Sequence, residues 1–458
     1  MLAAMVNRLR ASLTLFLALP FVLSLCASQA APAAAATPHI SHLFIIVLEN
    51  EDADDTFGAN PPAPYLGTTL KEDGAFVPNY FGIGHHSLDN YLAMISGQPP
   101  NQQTQADCGT FTEMTPGTLE ADGVAVGQGC AYPDTVHTVA NQLEEKGVSW
   151  RGYMQDMPTN CSHPTVGGPD LESGESPTDL YATRHDPFVY FHSIIDRPTC
   201  QQNVVNLDQL SVDLRKASTT PAYSFITPDV CSDGHDATCA DPTQPAGFAG
   251  INAFLSEWVP RIQASPAYDE RGAILITFDE SETGAQSCCS EKSGPNTPNN
   301  GDGVAQGDGG GQIGAVMLSP CVRPGTVTQT PYNHYSMLNW VEDDFELSHL
   351  AEAGRPGVKP FGSDVFDRPD CQLGTKLQVR PRKAVVGRKT TFKFKLTTQL
   401  PACRKGAIVS FAGARARTNG AGAAQLVLSP ARSGAVVARA RPPICNPAKA
   451  TVHVAAAG

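Results

Sequence analysis

Between residues 42 and 370 the chain alternates short apolar runs with longer stripes of apolar residues at helical spacing. Leu43-Phe44-Ile45-Ile46-Val47-Leu48 has no polar break, the pattern of a parallel strand buried on both faces. Tyr223 to Thr227, Ala273 to Phe278 and Ile313 to Leu318 read as three further strands. Leu88, Tyr91, Leu92 and Ile95 fall at i, i+3, i+4 and i+7 and predict a helix that Gly97 and Pro99 end. Val136, Val139, Ala140 and Leu143 repeat that spacing before Gly147. Ile251, Phe254, Leu255, Trp258, Val259 and Ile262 form the longest stripe, with Pro260 placed to kink it. Strands alternating with helices predict the α/β class, with a doubly wound, mostly parallel sheet covered on both faces.

The pattern changes near residue 370. Thr390-Thr391-Phe392-Lys393-Phe394-Lys395-Leu396 alternates with a period of two, and Asn419-Gly420 is a turn signal. Residues 372–458 therefore read as a small C-terminal β-sandwich of immunoglobulin-like type. Charge changes at the same place. Residues 371–458 hold 16 Lys and Arg and no Asp or Glu, so the other 16 cations and all 45 acids lie before them. The net charge of −13 thus hides an acidic front and a basic back, which marks a domain boundary near Asp370. The basic part suits contact with an anionic surface. It lacks an aromatic-rich stripe to stack bases, so nucleic acid is not expected as a partner. Residues 284–312, rich in Gly and Asn, read as a long loop.

Arg8 and Arg10, the apolar stretch Leu13 to Leu25 and the small residues around Ser28 and Ala30 read as a signal peptide over residues 1–30. The apolar run falls short of the ~20 residues a membrane span needs. No later segment is apolar for long enough to span a bilayer, so the mature chain is expected to be soluble and secreted. Thirteen cysteines become twelve once Cys26 leaves with the leader, and an even count in an exported chain favours disulfides. Cys108 with Cys130, Cys161 with Cys200, Cys231 with Cys239 and Cys403 with Cys445 are near neighbours that could pair. A zinc site at Cys288-Cys289 is the weaker alternative, because adjacent cysteines do not have metal-ligand spacing.

Ligands of an open parallel sheet gather beyond the carboxyl ends of its strands. The first strand runs into Glu49-Asn50, the second into Asp229 and then Asp233-Gly-His235, the third into Asp279-Glu280. Several carboxylates meeting at one edge repel one another, and a divalent cation would relieve that repulsion. A turn or helix-cap role competes at each position, and Asp229 competes with Asp233. Recurrence after three strands favours the cation. Ser87, in Gly84-His85-His86-Ser87-Leu88-Asp89-Asn90-Tyr91, precedes an amphipathic helix whose N-terminal N–H groups suit a phosphate. A cation beside its hydroxyl would lower its pKa and prepare it for in-line attack. Asn90, one turn on, can donate to a phosphoryl oxygen. On position alone, Ser87 also reads as an ordinary helix cap.

The run Ser87-Leu-Asp-Asn90-Tyr-Leu-Ala-Met-Ile-Ser-Gly97 resembles the nucleophile segment of alkaline-phosphatase-superfamily phosphoesterases, which have Thr/Ser-x-Pro-Asn and a helix ending in Ser/Thr-Gly. Within that superfamily the chain is most similar to the bacterial secreted acid phosphatase and phospholipase C family, and in particular to secreted acid phosphatases acting on phosphoinositides. Further matches are Val47-Leu-Glu49-Asn50 with Phe57-Gly58, Trp150-Arg-Gly-Tyr-Met-Gln-Asp156-Met-Pro158, Arg184-His185-Asp-Pro187-Phe188 and Pro228-Asp-Val-Cys-Ser-Asp233-Gly-His235-Asp236. Thr277-Phe-Asp279-Glu280, Gly309-Gly-Gly311 and Asn333-His334-Tyr335-Ser336 close the set, which spans about residues 42–350.

The resemblance implies an alkaline-phosphatase-like phosphoesterase domain over residues 38–370 and a substrate that is a phosphate ester, phospholipid and phosphoinositide included. It implies that Glu49, Asn50, Asp279 and Glu280 hold the metal that activates Ser87. Asp233 and His235, with His334, would form a second metal site or phosphate contacts. His85 or His86 would protonate the leaving alcohol, a phosphoserine would form, and His185 would contact substrate. Asp89 departs from the family's Pro, and Glu280 from the His common in the superfamily. The richer oxygen set lets Ca, Mg, Mn or Fe compete with Zn. Two further readings stand beside the phosphatase: a phospholipase C-type phosphodiesterase, and a non-catalytic exported protein stabilised by a cation. A Ser-His-Asp esterase would need a Gly-x-Ser-x-Gly elbow, which the segment around Ser87 lacks.

Overall fold

The structure is a computed structural model that describes residues 37–169, 176–291, 309–368, 371, 375–398, 403–442 and 448–457. The expected leader, Cys445 and residues 292–308 of the expected loop lie outside the described residues.

His42–Leu48 lies at the heart of an eight-stranded sheet, and Leu43 to Leu48 have no exposed surface. Both faces of this strand are therefore covered, as its unbroken apolar run requires. Truncating Ile45 to Ala here is expected to cost about 2–5 kcal/mol, the range for a fully buried aliphatic side chain. Gly272–Phe278 and Tyr223–Thr227 flank it, both parallel to it. Trp150–Met154 and then Val204–Asn206 extend the parallel set on one side. On the other side Ala315–Leu318 runs antiparallel to Gly272–Phe278, followed by Ala75–Val77 and Thr326–Val327. The sheet is thus mixed, and the fourth strand expected from sequence is the one that breaks its polarity. It is the next strand of the sheet in chain order after Gly272–Phe278, and it pairs with that strand by turning back alongside it.

The expected helices form. All ten residues of Ser87–Ser96 are buried, and Gly97 ends the helix at φ 68°, the left-handed conformation that Gly adopts without strain. Val139–Lys146 starts three residues later than the apolar stripe suggested, because Thr138 and Asn141 form a reciprocal cap. Gly247–Gln263 carries the longest stripe inward and contains Pro260. No helix among the described residues is long and apolar enough to cross a membrane.

Cys108–Cys130, Cys161–Cys200 and Cys231–Cys239 are disulfides, as their proximity in sequence suggested. Cys288 and Cys289 are bonded to each other, which leaves no thiolate for the zinc alternative. Cys321–Cys371 joins two cysteines 50 residues apart that sequence left unpaired.

The C-terminal region is all β. Thr375–Arg380, Thr390–Thr398 and Ala423–Leu428 make a three-stranded sheet. Lys383–Val385, Ala448–Ala455, Gly434–Arg441, Ile408–Phe411 and Ala414–Arg417 make a five-stranded one. The inward residues of both, including Phe392, Phe394, Val409, Phe411 and Val452, share one apolar core.

Candidate active site

Parallel pairing brings three strand tips to one edge. The Glu49 N–H donates to the Asp233 carbonyl (3.0 Å), and the Asp279 N–H donates to the Leu48 carbonyl (2.9 Å). These bonds stitch the tips together just where each delivers a carboxylate. Glu49, Asp233 and Asp279 are each at most 1% exposed. Burial, with Asp279 and Asp233 nearby, holds the Glu49 carboxyl well above its ordinary range. Burial and the adjacent Glu280 do the same to Asp279, and burial pushes Asp233 up to about 8. The physical cause is shared: burial penalises the charged form, and neighbouring carboxylates repel it.

Ser87 is the first residue of its helix, and His86 is the cap. The ordinary-cap role therefore does not describe Ser87. Its hydroxyl donates to Glu49 Oε2 at 2.7 Å instead, and it lies close enough to Asp279 to ease that group's ionisation. His86 has φ 117°, a strained value for a residue with a side chain. Its N–H meets both oxygens of Glu280 (2.9 and 3.0 Å). His85 Nδ1 lies 2.8 Å from Glu280 Oε2, and His86 Nδ1 lies 3.5 Å from Asp107 Oδ2. Hydrogen bonding to these carboxylates raises both imidazoles above their usual range.

His185 is 2% exposed, 3.3 Å from Glu49 Oε1 and 3.7 Å from Asp233 Oδ2. Burial, Arg184 and His235 keep it neutral by pulling its pKa far down. Asp233 rather than Asp229 faces this centre. Asp229 Oδ1 accepts the N–H groups of Cys231 (3.1 Å) and Ser232 (2.9 Å), a turn role.

Other expected site residues are placed differently. Asn90 spends its amide on the loop before the helix: Oδ1 accepts from Ile83 and Gly84, and Nδ2 donates to the Gly84 and His86 carbonyls. Its amide thus holds the nucleophile loop. His334 is buried behind the edge, with Nε2 at 2.6 Å from the Asp279 carbonyl and a pKa lowered to about 4 by burial. The His235 side chain is exposed and lies 3.8 Å from Asp236. Asn50 donates its N–H to Asp279 Oδ1 at 3.0 Å.

The family model for Phosphoesterase matches residues 62–348, more than half of the chain and nearly the whole stretch that carries this centre. The chain belongs to the Phosphoesterase family.

Relatives of this phosphoesterase chain carry related descriptions. A probable acid phosphatase of Kluyveromyces lactis is 27% identical over 67% of the chain and 58% of its own length. An acid phosphatase of Aspergillus fumigatus is 24% identical over 68% and 56%. A phosphatidylinositol-3-phosphatase of Mycobacterium tuberculosis is 25% identical over 70% and 81%. The match spans little more than half the length of the two fungal relatives. Among solved structures, an alkaline phosphatase superfamily protein of Vibrio parahaemolyticus superposes with a TM-score of 0.41 at 12% identity, covering 89% of this chain and 80% of that one.

The family setting raises the question of a cation. Among the described residues no group of three or more His, Cys, Asp or Glu side chains is arranged to hold a metal ion. The chemistry of the donors nevertheless fits one. Asn50 Oδ1, Asp233 Oδ2 and Asp279 Oδ2 are buried without a hydrogen-bond partner, beside carboxylates that repel one another. Hard oxygen donors of this kind are the ligands of divalent cations.

Two residues of the centre escaped the sequence reading. Tyr91 belongs to the apolar stripe by its spacing, yet its hydroxyl donates to Glu49 Oε1 (2.7 Å) and its ring stacks on His185. Its position four residues after Ser87 was the available signal. Asp107, from a loop, accepts the Leu88 N–H at 3.0 Å, and nothing local in the sequence points to it.

Proposed function

We propose that this phosphoesterase hydrolyses phosphate monoesters with Ser87 as nucleophile, in a metal-dependent reaction on an alkaline-phosphatase-like scaffold. One observation carries the reading: a helix-starting serine donates its hydroxyl to a buried carboxylate at 2.7 Å, where a cap would have turned to its own backbone. Glu49 orients that hydroxyl through this hydrogen bond and lies where it can receive its proton. Ser87 Oγ then bonds to phosphorus as the phosphorus–oxygen bond to the leaving alcohol breaks. His85 or His86, both held protonated toward neutral pH by carboxylates, supplies the proton the alcohol needs. Water hydrolyses the phosphoserine and restores the enzyme. A divalent cation held by Glu49, Asn50, Asp279 and Glu280, with Asp233 beside them, would neutralise the carboxylates and acidify the serine hydroxyl, while exposed His235 stays outside this set. Asn90 holds the nucleophile loop in place, His334 braces the Asp279 tip, and neutral His185, buried between Glu49 and Asp233, positions these carboxylates.

Acid phosphatases among the relatives support the monoester, and the phosphatidylinositol-3-phosphatase supports a phosphoinositide among its substrates. Five disulfides among the described residues support export to an oxidising compartment. The basic C-terminal region, read as an immunoglobulin-type sandwich, stands apart from this chemistry. Ser87→Ala is the test, with chromogenic monoester and diester substrates compared at acid and neutral pH across a panel of divalent ions. Loss of monoesterase activity by at least about a thousandfold is expected. Unchanged hydrolysis would remove the nucleophile, and a diester preferred over the monoester would replace the phosphatase by a phosphodiesterase.

A further inference from the structure

The five-stranded C-terminal sheet turns Ala438, Ala440, Val409, Phe411 and Val452 into the core. Alternation then sends their neighbours outward. Register decides what those neighbours form. Arg439 is paired with Lys449 on one side and with Ser410 on the other, and Ser410 is paired with Arg415. In the adjoining outward row Arg441 is paired with Ile408, and Ile408 with Arg417. Lys383, on the edge strand, pairs with His453 on the same face. Six exposed cations thus lie on one face of the sheet. Arg439 and Lys449 are direct neighbours roughly 5 Å apart, Arg415 and Arg417 stand two strands (roughly 10 Å) from Arg439 and Arg441, and Lys383 lies at the edge, two outward positions along from Lys449. None of the six forms an ion pair among the described residues, and the whole region from 371 onward contains no acid. At the sheet edge a groove of about 520 Å³ is lined by Lys383, Arg388 and Lys389 with Thr390 and Thr391.

We propose that this face is a docking surface for an anionic phospholipid bilayer. Charge complementarity carries the choice. A face of cations without ion-pair partners among the described residues matches a surface of phosphate headgroups, and each Lys or Arg near such a surface adds to binding. Four of the six are Arg, whose planar fork engages phosphate oxygens in pairs. Val437, exposed at 40%, lies on the same face as Arg439 and Arg441 and offers an apolar contact at the interface. Among the described residues no Phe, Tyr or Trp stands on this face to stack bases, which sets it apart from a nucleic-acid surface. The groove offers three cations and two threonines to a phosphate headgroup. The outer face of the three-stranded sheet also carries cations, Lys376, Arg380, Lys393 and Lys395. It is smaller, mostly Lys, and serves as the internal control.

The test uses the full chain and sedimentation with vesicles of phosphatidylcholine alone or of equimolar phosphatidylcholine and phosphatidylglycerol. The wild type is expected to sediment with the anionic vesicles only and to be released by salt. Combining Arg415→Ser, Arg417→Ser, Arg439→Ser and Arg441→Ser is expected to weaken partition by about tenfold or more. Hydrolysis of a soluble phosphate ester should stay at the wild-type level, so a failure of the catalytic reading and a failure of docking are read separately. Lys376→Ser with Lys393→Ser and Lys395→Ser should leave partition close to wild type. If the fourfold variant does not fold, either Arg pair alone gives the same readout. Wild-type chain that ignores anionic vesicles, equal loss from either face, or binding to DNA or heparin without binding to vesicles would each overturn the assignment.

Discussion

The Tyr91 hydroxyl lies 2.7 Å from Glu49 Oε1, the carboxylate oxygen that Ser87 does not use. One buried carboxylate is thus held from both sides by a single helix, one turn apart. Tyr91→Phe removes one hydrogen bond to a charged group, about 1.5–3 kcal/mol, and keeps the ring that stacks on His185. Activity is expected to fall by about tenfold to a hundredfold, read in kcat, with an unchanged far-ultraviolet spectrum. An unaltered kcat would mean that Glu49 needs no such support.

Chelation should unmask the repulsion within the carboxylate cluster. Glu49, Asp279 and Asp233 all have folded pKa values above their unfolded ones, with Asp233 at about 8. A raised folded pKa gives stability that is complete below the unfolded pKa and lost as pH rises through the folded one. The chelated chain should therefore lose thermal stability between about pH 6.5 and about pH 8, where buried His185 and His334 are already neutral. Adding back a divalent ion should restore it. A flat profile in the chelated chain would separate these carboxylates from any cation.

Asp52 latches two of the strand tips together. Its carboxylate accepts from the Ser281 and Thr283 hydroxyls and from the Thr283 N–H at 3.2 Å, so the loop after Glu49 is tied to the loop after Glu280. Asp52→Ala is expected to raise the divalent-ion concentration needed for half-maximal activity by about 10–100-fold. Asp52→Asn, which keeps acceptor geometry at one oxygen, should recover part of it. Equal metal titration curves for all three proteins would confine Asp52 to a structural role.

His86 owes its raised pKa first to its hydrogen bond with Asp107. Asp107→Ala should lower that pKa, so the protonated imidazole is lost at lower pH. The alkaline limb of the pH–rate profile is expected to move toward acid. The same change removes the cap on Leu88 and should cost about 0.5–2 kcal/mol of stability. A lower melting temperature with an unmoved limb would assign the proton to His85 or to water.

Much of this arrangement was legible in the amino-acid order because its signals are local. The run Leu43 to Leu48 states its own burial, Gly97 ends the helix of Ser87 through a left-handed turn, and Glu49, Asp233 and Asp279-Glu280 follow their strands directly. Parallel pairing then makes a shared edge unavoidable for residues that end neighbouring strands. Asp107 and Asp52 were not legible, since each acts on a partner distant in sequence or through a loop with no period. The polarity of Ala315–Leu318 was equally hidden, because an apolar run looks the same in either direction.

The sequence by itself determined the strands around Leu43, Tyr223, Ala273 and Ile313, the helices that carry Leu88, Val139 and Ile251, the point after which no acid occurs, and that a serine opens a helix beside two histidines. Tertiary structure alone decided that this serine turns to Glu49, that Asp229 makes a turn while Asp233 faces His185, and that six scattered cations share one face. Spacing along the chain governs secondary structure, whereas these contacts depend on sheet register and on bonds between strand tips. Register is a property of two strands together, and neither strand's residues carry it alone.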